Sequence, residues 1–328
     1  MHNYRRRFIL GTAGILIATP LFGSEWSSIN RPRVGFLSPV KPGKRNEAFV
    51  SGMRALGWKP GETVDIDLRF AEGTPERLDG LVQELLTLKP DVLVTGSTIG
   101  ARAAIRAEAS VPIVFAGSSD PVAGGLVKNL RRPGEHITGF SLAYGHGFAG
   151  KWLQLLKEML PELRHAALVW SSANPAAQRF VDELRKAAEK LAVQLDVYHA
   201  KDRAELDSVL PSIAASSAKG LIVAPSPFAA SERKQYVAFS NLNDLPTIFF
   251  SESFPNAGGL MSYGPDIPDV YRRAAAHVDR ILKGADPGEL PVERPTKFDL
   301  VINLRAAEEL GVTVPPSLLL RANRVIEK

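Results

Sequence analysis

The chain has 328 residues, 45% of them hydrophobic and 23% charged, which is the balance of a globular protein with ample core, long enough at about 150 residues per domain for two domains. The formal net charge is +5; setting aside Arg5, Arg6 and Arg7, which lie in a segment expected to be removed, leaves +2, too little for a nucleic-acid or anionic-membrane footprint. No cysteine is present, which excludes disulfides, thiolate metal sites, a cysteine nucleophile and a lipid-modified N-terminal cysteine.

In chain order, Arg5-Arg6-Arg7 followed by an apolar stretch to about Phe22 reads as the basic and hydrophobic regions of a secretory signal, with cleavage near Gly23 or Ser24. The Arg5-Arg6 pair ahead of Phe8 and Ile9 has the form of a twin-arginine signal. A membrane anchor fits less well, because Gly11, Gly14 and Pro20 interrupt a stretch shorter than the roughly 20 apolar residues a span needs.

After Arg33, short β-branched runs alternate with amphipathic helical stretches, the pattern of parallel sheets covered by helices. Strands are expected at Val34 to Leu37, Val64 to Phe70, Val92 to Thr95, Ile113 to Phe115 and Ile137 to Phe140, and a second series at Ala166 to Trp170, Gln194 to Tyr198, Gly220 to Ala224, Thr247 to Phe250 and Leu260 to Tyr263. The periodic sets Leu78, Leu81, Val82, Leu85, Leu86 and Phe180, Val181, Leu184, Ala188, Leu191 mark helix faces that belong to the core. A Pro- and Gly-rich stretch from Gly284 to Pro295 reads as a crossover between lobes, followed by a strand at Phe298 to Ile302 and a helix from about Leu304.

Several expected strands run straight into small polar turns. In open parallel sheets the ligand sits outside the carboxyl ends of the strands, where backbone N–H groups and helix N-termini point outward, so these turns are the candidate site. On the first lobe they carry Ser38, Ser97, Thr98, Ser118 and Asp120; on the second, Trp170, Asn174, Ser226, Ser251, Glu252 and Tyr263. Ser97 and Thr98 suit either plain capping of the helix that follows or reception of a carboxylate. Asp120 either orients the turn before Pro121 or accepts from an amine. Glu252 is either a solvated loop carboxylate or the partner of a ligand ammonium. Trp170 and Tyr263 are either core or an aromatic wall of the cleft.

Chemistry finds little support. Gly145-His146-Gly147-Phe148-Ala149-Gly150 has the spacing of a dinucleotide fingerprint, but the acidic residue expected about 20 positions later is missing, and a glycine-tolerant crossover is the better reading. No G-x-S-x-G elbow occurs, and His2, His136, His146, His165, His199 and His277 show no local metal spacing. The expectation is a protein with no cofactor, no metal and no catalytic residue.

The segment Leu290 to Gly311, with Pro315-Pro316-Ser317-Leu318, Gly117-Ser118-Ser119-Asp120-Pro121-Val122, Ala173-Asn174-Pro175 and Gly258-Gly259-Leu260-Met261-Ser262-Tyr263-Gly264, closely resembles ABC-transporter substrate-binding proteins related to tryptophan and phenylalanine binders. The resemblance runs from about Arg33 to the C-terminus and departs at Ala322-Asn323-Arg324, where the family commonly has alanine, aspartate and glutamate. It implies an α/β fold of the type I periplasmic-binding kind: two Rossmann-like parallel-sheet lobes joined by a three-strand hinge, with ligand in the cleft. The expected lobes are 31–140 plus 264–290 and 141–263 plus 291–328, after a signal at 1–24. The implied role is extracytoplasmic capture of a small molecule, preferably amino-acid-like, for an ABC permease and its ATPase, as a monomer. With no lipidation site to hold it at the membrane, a Gram-negative periplasm is the expected compartment. A sensor reporting ligand to a membrane receptor or kinase is the alternative.

Overall fold

The computed structural model describes residues 31–327 except Ala143, Gly145, His146 and Pro175. The expected export segment and Gly145-His146 of the glycine fingerprint therefore lie outside the described residues. No described helix is long and apolar enough to cross a membrane.

The first lobe is built from β1 (Arg33–Ser38), α1 (Lys44–Ala55), β2 (Asp65–Phe70), α2 (Leu78–Thr87), β3 (Val92–Thr95), α3 (Thr98–Arg106), β4 (Ile113–Ser118) and β5 (Ile137–Ser141). Its five strands lie parallel in the order β2-β1-β3-β4-β5. All four residues of β3 are buried, as continuous apolar runs must be when helices cover both faces of a sheet.

The second lobe repeats the plan with α4 (Phe148–Met159), β6 (His165–Trp170), α5 (Ala177–Lys190), β7 (Gln194–His199), α6 (Arg203–Ala214), β8 (Leu221–Val223), α7 (Pro227–Ser231), α8 (Arg233–Leu242), β9 (Thr247–Phe249) and β10 (Met261–Pro265). Helix α9 (Ile267–Leu282) then returns to the first lobe. The chain ends on β11 (Phe298–Asn303), α10 (Leu304–Glu309), α11 (Pro316–Arg321) and β12 (Arg324–Ile326) in the second. The second sheet runs β12-β11-β10-β9-β8-β6-β7. Five of these strands reproduce the first lobe's order, but β11 is antiparallel to β10, so the sheet is mixed where a parallel one was expected. The last strand, β12, pairs with β11 at three positions. It was not foreseen because three residues at a sheet edge carry no readable alternation.

Helix α9 locks onto α1. Its apolar stripe of Ile267, Val270, Tyr271, Ala274, Ala275, Val278 and Ile281 is buried together with Ala48, Phe49 and Met53. The two backbones approach so closely at Gly52 that a Cβ there would lie 2.5 Å from the Arg272 carbonyl oxygen.

The stretch after α9 passes along the edge of β5 before entering the second lobe. The N–H of Glu293 donates to the Gly139 carbonyl at 3.0 Å, and the N–H of Ser141 donates to the Glu293 carbonyl at 2.9 Å. His277, 1% exposed on α9, lies under this crossover. Its Nε2 is 3.2 Å from the Pro291 carbonyl, its Nδ1 is 3.9 Å from Glu293 Oε1, and its ring meets the edge of Phe140 at 5.0 Å. Burial holds the His277 pKa below its ordinary value, with Arg280 and Arg273 adding to the effect and the Pro291 carbonyl and Glu293 opposing it. A group protonated more readily in the unfolded chain contributes stability above its unfolded pKa, about 6.5, and loses it as pH falls toward the folded value. Denaturant midpoints should therefore drop as pH falls from about 7.5 to about 5.5, and His277→Gln should flatten that part of the profile; an unchanged profile would remove His277 as its cause.

Candidate functional site

In both lobes the strand order reverses between the first and third strands of the series, and the crevice outside the carboxyl ends at such a point is where open α/β sheets hold ligands. A pocket lies there, enclosing about 530 Å3 of space unfilled by protein atoms, part of it continuous with solvent. The first lobe supplies Arg45 from the start of α1, the turn Gly96-Ser97-Thr98 between β3 and α3, and Gly117 and Ser119 at the end of β4. The second supplies Asn174 after β6, Pro225-Ser226-Pro227 after β8 and Phe250 after β9. Leu142 and Tyr144 in the first crossover, with Ile267 and Tyr271 from α9, complete an apolar wall.

Each polar group in this wall is held by the local fold. Ser97 caps α3 by accepting from the Gly100 N–H at 3.1 Å, and the Thr98 hydroxyl is 2.8 Å from the buried Ser118 hydroxyl. Thr98 and Ile99 at the start of α3 line the pocket together with Arg45, a pairing suited to a carboxylate. Asn174 reaches across from the second lobe, its Nδ2 donating to Ser119 Oγ at 2.6 Å while its Oδ1 accepts from Ala176 N–H at 3.1 Å. Ser226 caps α7 through the Ala229 N–H at 2.9 Å.

Two buried tyrosines stand on either side. Tyr271 donates to the Gly96 carbonyl at 2.8 Å and is hydrogen-bonded to Arg45; Tyr144 donates to the Phe250 carbonyl at 3.2 Å. Burial raises both phenol pKa values, against the opposing field of Arg45, so both remain neutral donors. No ion pair joins Arg45 to an acidic side chain among the described residues, and no acidic residue lines this pocket.

An adjoining recess shares Ser119, Tyr144, Asn174 and Pro225 with the pocket and contains Asp120 and Arg179. Asp120 Oδ1 accepts from the N–H groups of Val122 and Ala123 at 3.1 and 3.0 Å, and its Oδ2 is 3.6 Å from Arg179 Nη1.

Of the residues expected from sequence, Ser97, Thr98, Asn174 and Ser226 line the pocket, and Asp120 lines the recess. Ser118 lies behind the wall, bonded to Thr98. Ser38 is buried and turned onto its own loop, 3.0 Å from the Val40 carbonyl. Trp170 packs its edge against His199 at 5.4 Å, and Tyr263 stacks on Phe148 at 5.3 Å; neither is in the pocket lining. Ser251 and Glu252 lie at the mouth of the cleft rather than in the pocket. Glu252, the expected ammonium partner, is 3.0 Å from Arg324 and 3.8 Å from Lys44. Arg45, Tyr144 and Tyr271 were not foreseen.

A family model described as "ABC transporter substrate binding protein" matches residues 42–326. A tyrosine-binding protein of Clostridioides difficile is 24% identical over 266 residues, covering 79% of this chain and 74% of that protein. Among solved structures, a conserved domain protein of Vibrio cholerae is 28% identical with a TM-score of 0.84, over 90% of this chain and 99% of that one. A Streptococcus pneumoniae ABC domain in complex with L-Trp is 25% identical with a TM-score of 0.83, over 90% and 100%.

Proposed function

The chain belongs to the family of ABC transporter substrate-binding proteins, and from that premise we propose that it is the extracytoplasmic solute-binding component of an ABC importer, working in the periplasm as a monomer. Its ligand on this reading is a small carboxylate with an apolar body, the class that includes the aromatic amino acids named for its relatives. The observation that carries the reading is the pocket at the carboxyl ends of both sheets, where Arg45 and the N-terminus of α3 stand against Leu142, Tyr144, Phe250 and Ile267.

The carboxylate is taken by Arg45 and the α3 N–H groups, with Ser97, Thr98, Asn174 and Ser226 ordering the surrounding turns. The apolar body lies along the tyrosine and phenylalanine wall. The lobes, 31–140 with 264–290 and 141–263 with 291–328, hinge about three crossovers. Asn174 to Ser119 and Asp120 to Arg179 are bonds between lobes that form on closure, and the closed shape is what a permease and its ATPase read. Binding requires no covalent step.

A thermal-shift screen of the full chain, refolded from denaturant to release copurified solute, tests this. A true ligand at 100 times its Kd adds about 2.7 kcal/mol of stability. The same ligand should lower the radius of gyration in solution scattering as the cleft shuts. Stabilisation only by solutes lacking a carboxylate would overturn the ligand class.

A further inference from the structure

The side chains lining the mouth of the cleft are mostly basic, although Asp299 lies close enough to Glu252 and Asp266 for their charges to interact. Outside the pocket, the mouth between the lobes is lined by Lys41, Lys44, Arg45, Arg233 and Lys234, with Glu252 as its single acidic side chain among the described residues. Glu252 is already shared between Arg324 and Lys44. Arg45 lines both the mouth and the inner pocket, so the positive wall continues to the bottom of the cleft. A zwitterion would need a compensating acceptor for its ammonium. Asp120 lies in the adjoining recess, where two backbone N–H groups and Arg179 engage it, and Asp266, just before Ile267, caps α9 by accepting from the Asp269 N–H.

The geometry points to a ligand of net negative charge: an apolar, preferably aromatic, monocarboxylate without an α-ammonium group. This rests on the proposed solute-binding reading of the cleft and narrows it. An anion is drawn in by the mouth and ends on Arg45 and α3. An ammonium carried with it meets Arg45 and, among the described residues, no acidic side chain in the lining of the pocket. A zwitterion is not steered at all, since steering acts on net charge.

Calorimetry on the refolded full chain with matched pairs tests the inference: phenylalanine against 3-phenylpropanoate, tyrosine against 3-(4-hydroxyphenyl)propanoate, and tryptophan against 3-(indol-3-yl)propanoate. In at least one pair the deaminated acid is expected to bind about tenfold tighter or better, equivalent to about 1.4 kcal/mol. Its association rate should fall as salt is raised. The exposed pair Lys41→Gln and Lys234→Gln should slow association while leaving dissociation unchanged.

An amino acid binding as tightly as its deaminated partner, or tighter, overturns the inference while leaving the solute-binding reading intact. Binding of some other solute with no response to either series removes the carboxylate class along with it. Silence toward every solute tried defeats the reading of the cleft itself.

Discussion

Substituting alanine for Arg45 is expected to weaken binding of the carboxylate solute by about a hundredfold, or roughly 3 kcal/mol, within the range for truncating one partner of a desolvated charge pair. The guanidinium occupies the pocket wall with Tyr271 as its neighbour, and no carboxylate of the described chain compensates it. The unliganded protein therefore holds a cation whose partner arrives with the solute. The variant breaks no ion pair and loses only the hydrogen bond to Tyr271, so without ligand it should be within about 1 kcal/mol of the parent, and it should lose most of its ligand-induced thermal shift. Arg45→Lys should fall between the two, keeping the charge but losing the planar fork that grips both carboxylate oxygens. Titration calorimetry of the three proteins measures this directly. An alanine variant binding within about twofold of the parent would leave α3 alone as the anion site.

Arg45 also shows where the sequence could be read and where it could not. The strands were legible because buried parallel strands are written as β-branched runs, and β1, β3, β6 and β9 begin and end within about a residue or two of the expected positions. The turns holding Ser97, Thr98, Asn174 and Ser226 were legible for the same reason, since each follows a strand. Arg45 follows a strand too, but within Lys41-Pro42-Gly43-Lys44-Arg45, a basic stretch indistinguishable from a solvated loop. Only the packing of α1 against α9 turns its first residues over the end of β1.

Tyr271 was hidden differently. It sits on the apolar stripe of α9 and reads as core, which it is, at 1% exposed. Its hydroxyl reaches the pocket because the chain leaves the second lobe and returns to the first, a connection that no local periodicity records. Ser118 was chosen over Ser119 at the end of β4. The register of β4 shifts between Ala116 and Ser118, so simple alternation ends there: Ser118 turns back to Thr98 while Ala116, Gly117 and Ser119 line the cleft. Glu252 was placed at the right strand end, but its partner Arg324 lies on β12, the strand that carried no signal.

The other large effect is expected far from any ligand. Trp152 on α4 is 0% exposed and is ringed by Tyr144, Phe148 and Phe180 at centroid distances of 6.3, 5.6 and 5.3 Å. Its indole N–H donates to the Tyr263 carbonyl at 2.9 Å. Trp152→Ala opens a cavity costing about 3–5 kcal/mol and leaves that carbonyl without its donor. For a chain of this size the melting temperature should fall by roughly 10 °C. Trp152→Phe keeps most of the packing and loses only the hydrogen bond, so its cost should be nearer ~1–2 kcal/mol. The consequence for binding runs through Tyr144, whose ring rests on Trp152 and whose hydroxyl fixes the Phe250 carbonyl at the pocket wall. Affinity for the solute should therefore fall in Trp152→Ala even below its melting temperature, measured at a temperature where the variant is fully folded. Equal affinity with reduced stability would mean that the backbone bond from Tyr144 N–H to the Ser119 carbonyl, at 3.2 Å, is enough to hold the tyrosine in place. The first crossover would then be a rigid part of the site rather than a segment propped by the core of the second lobe.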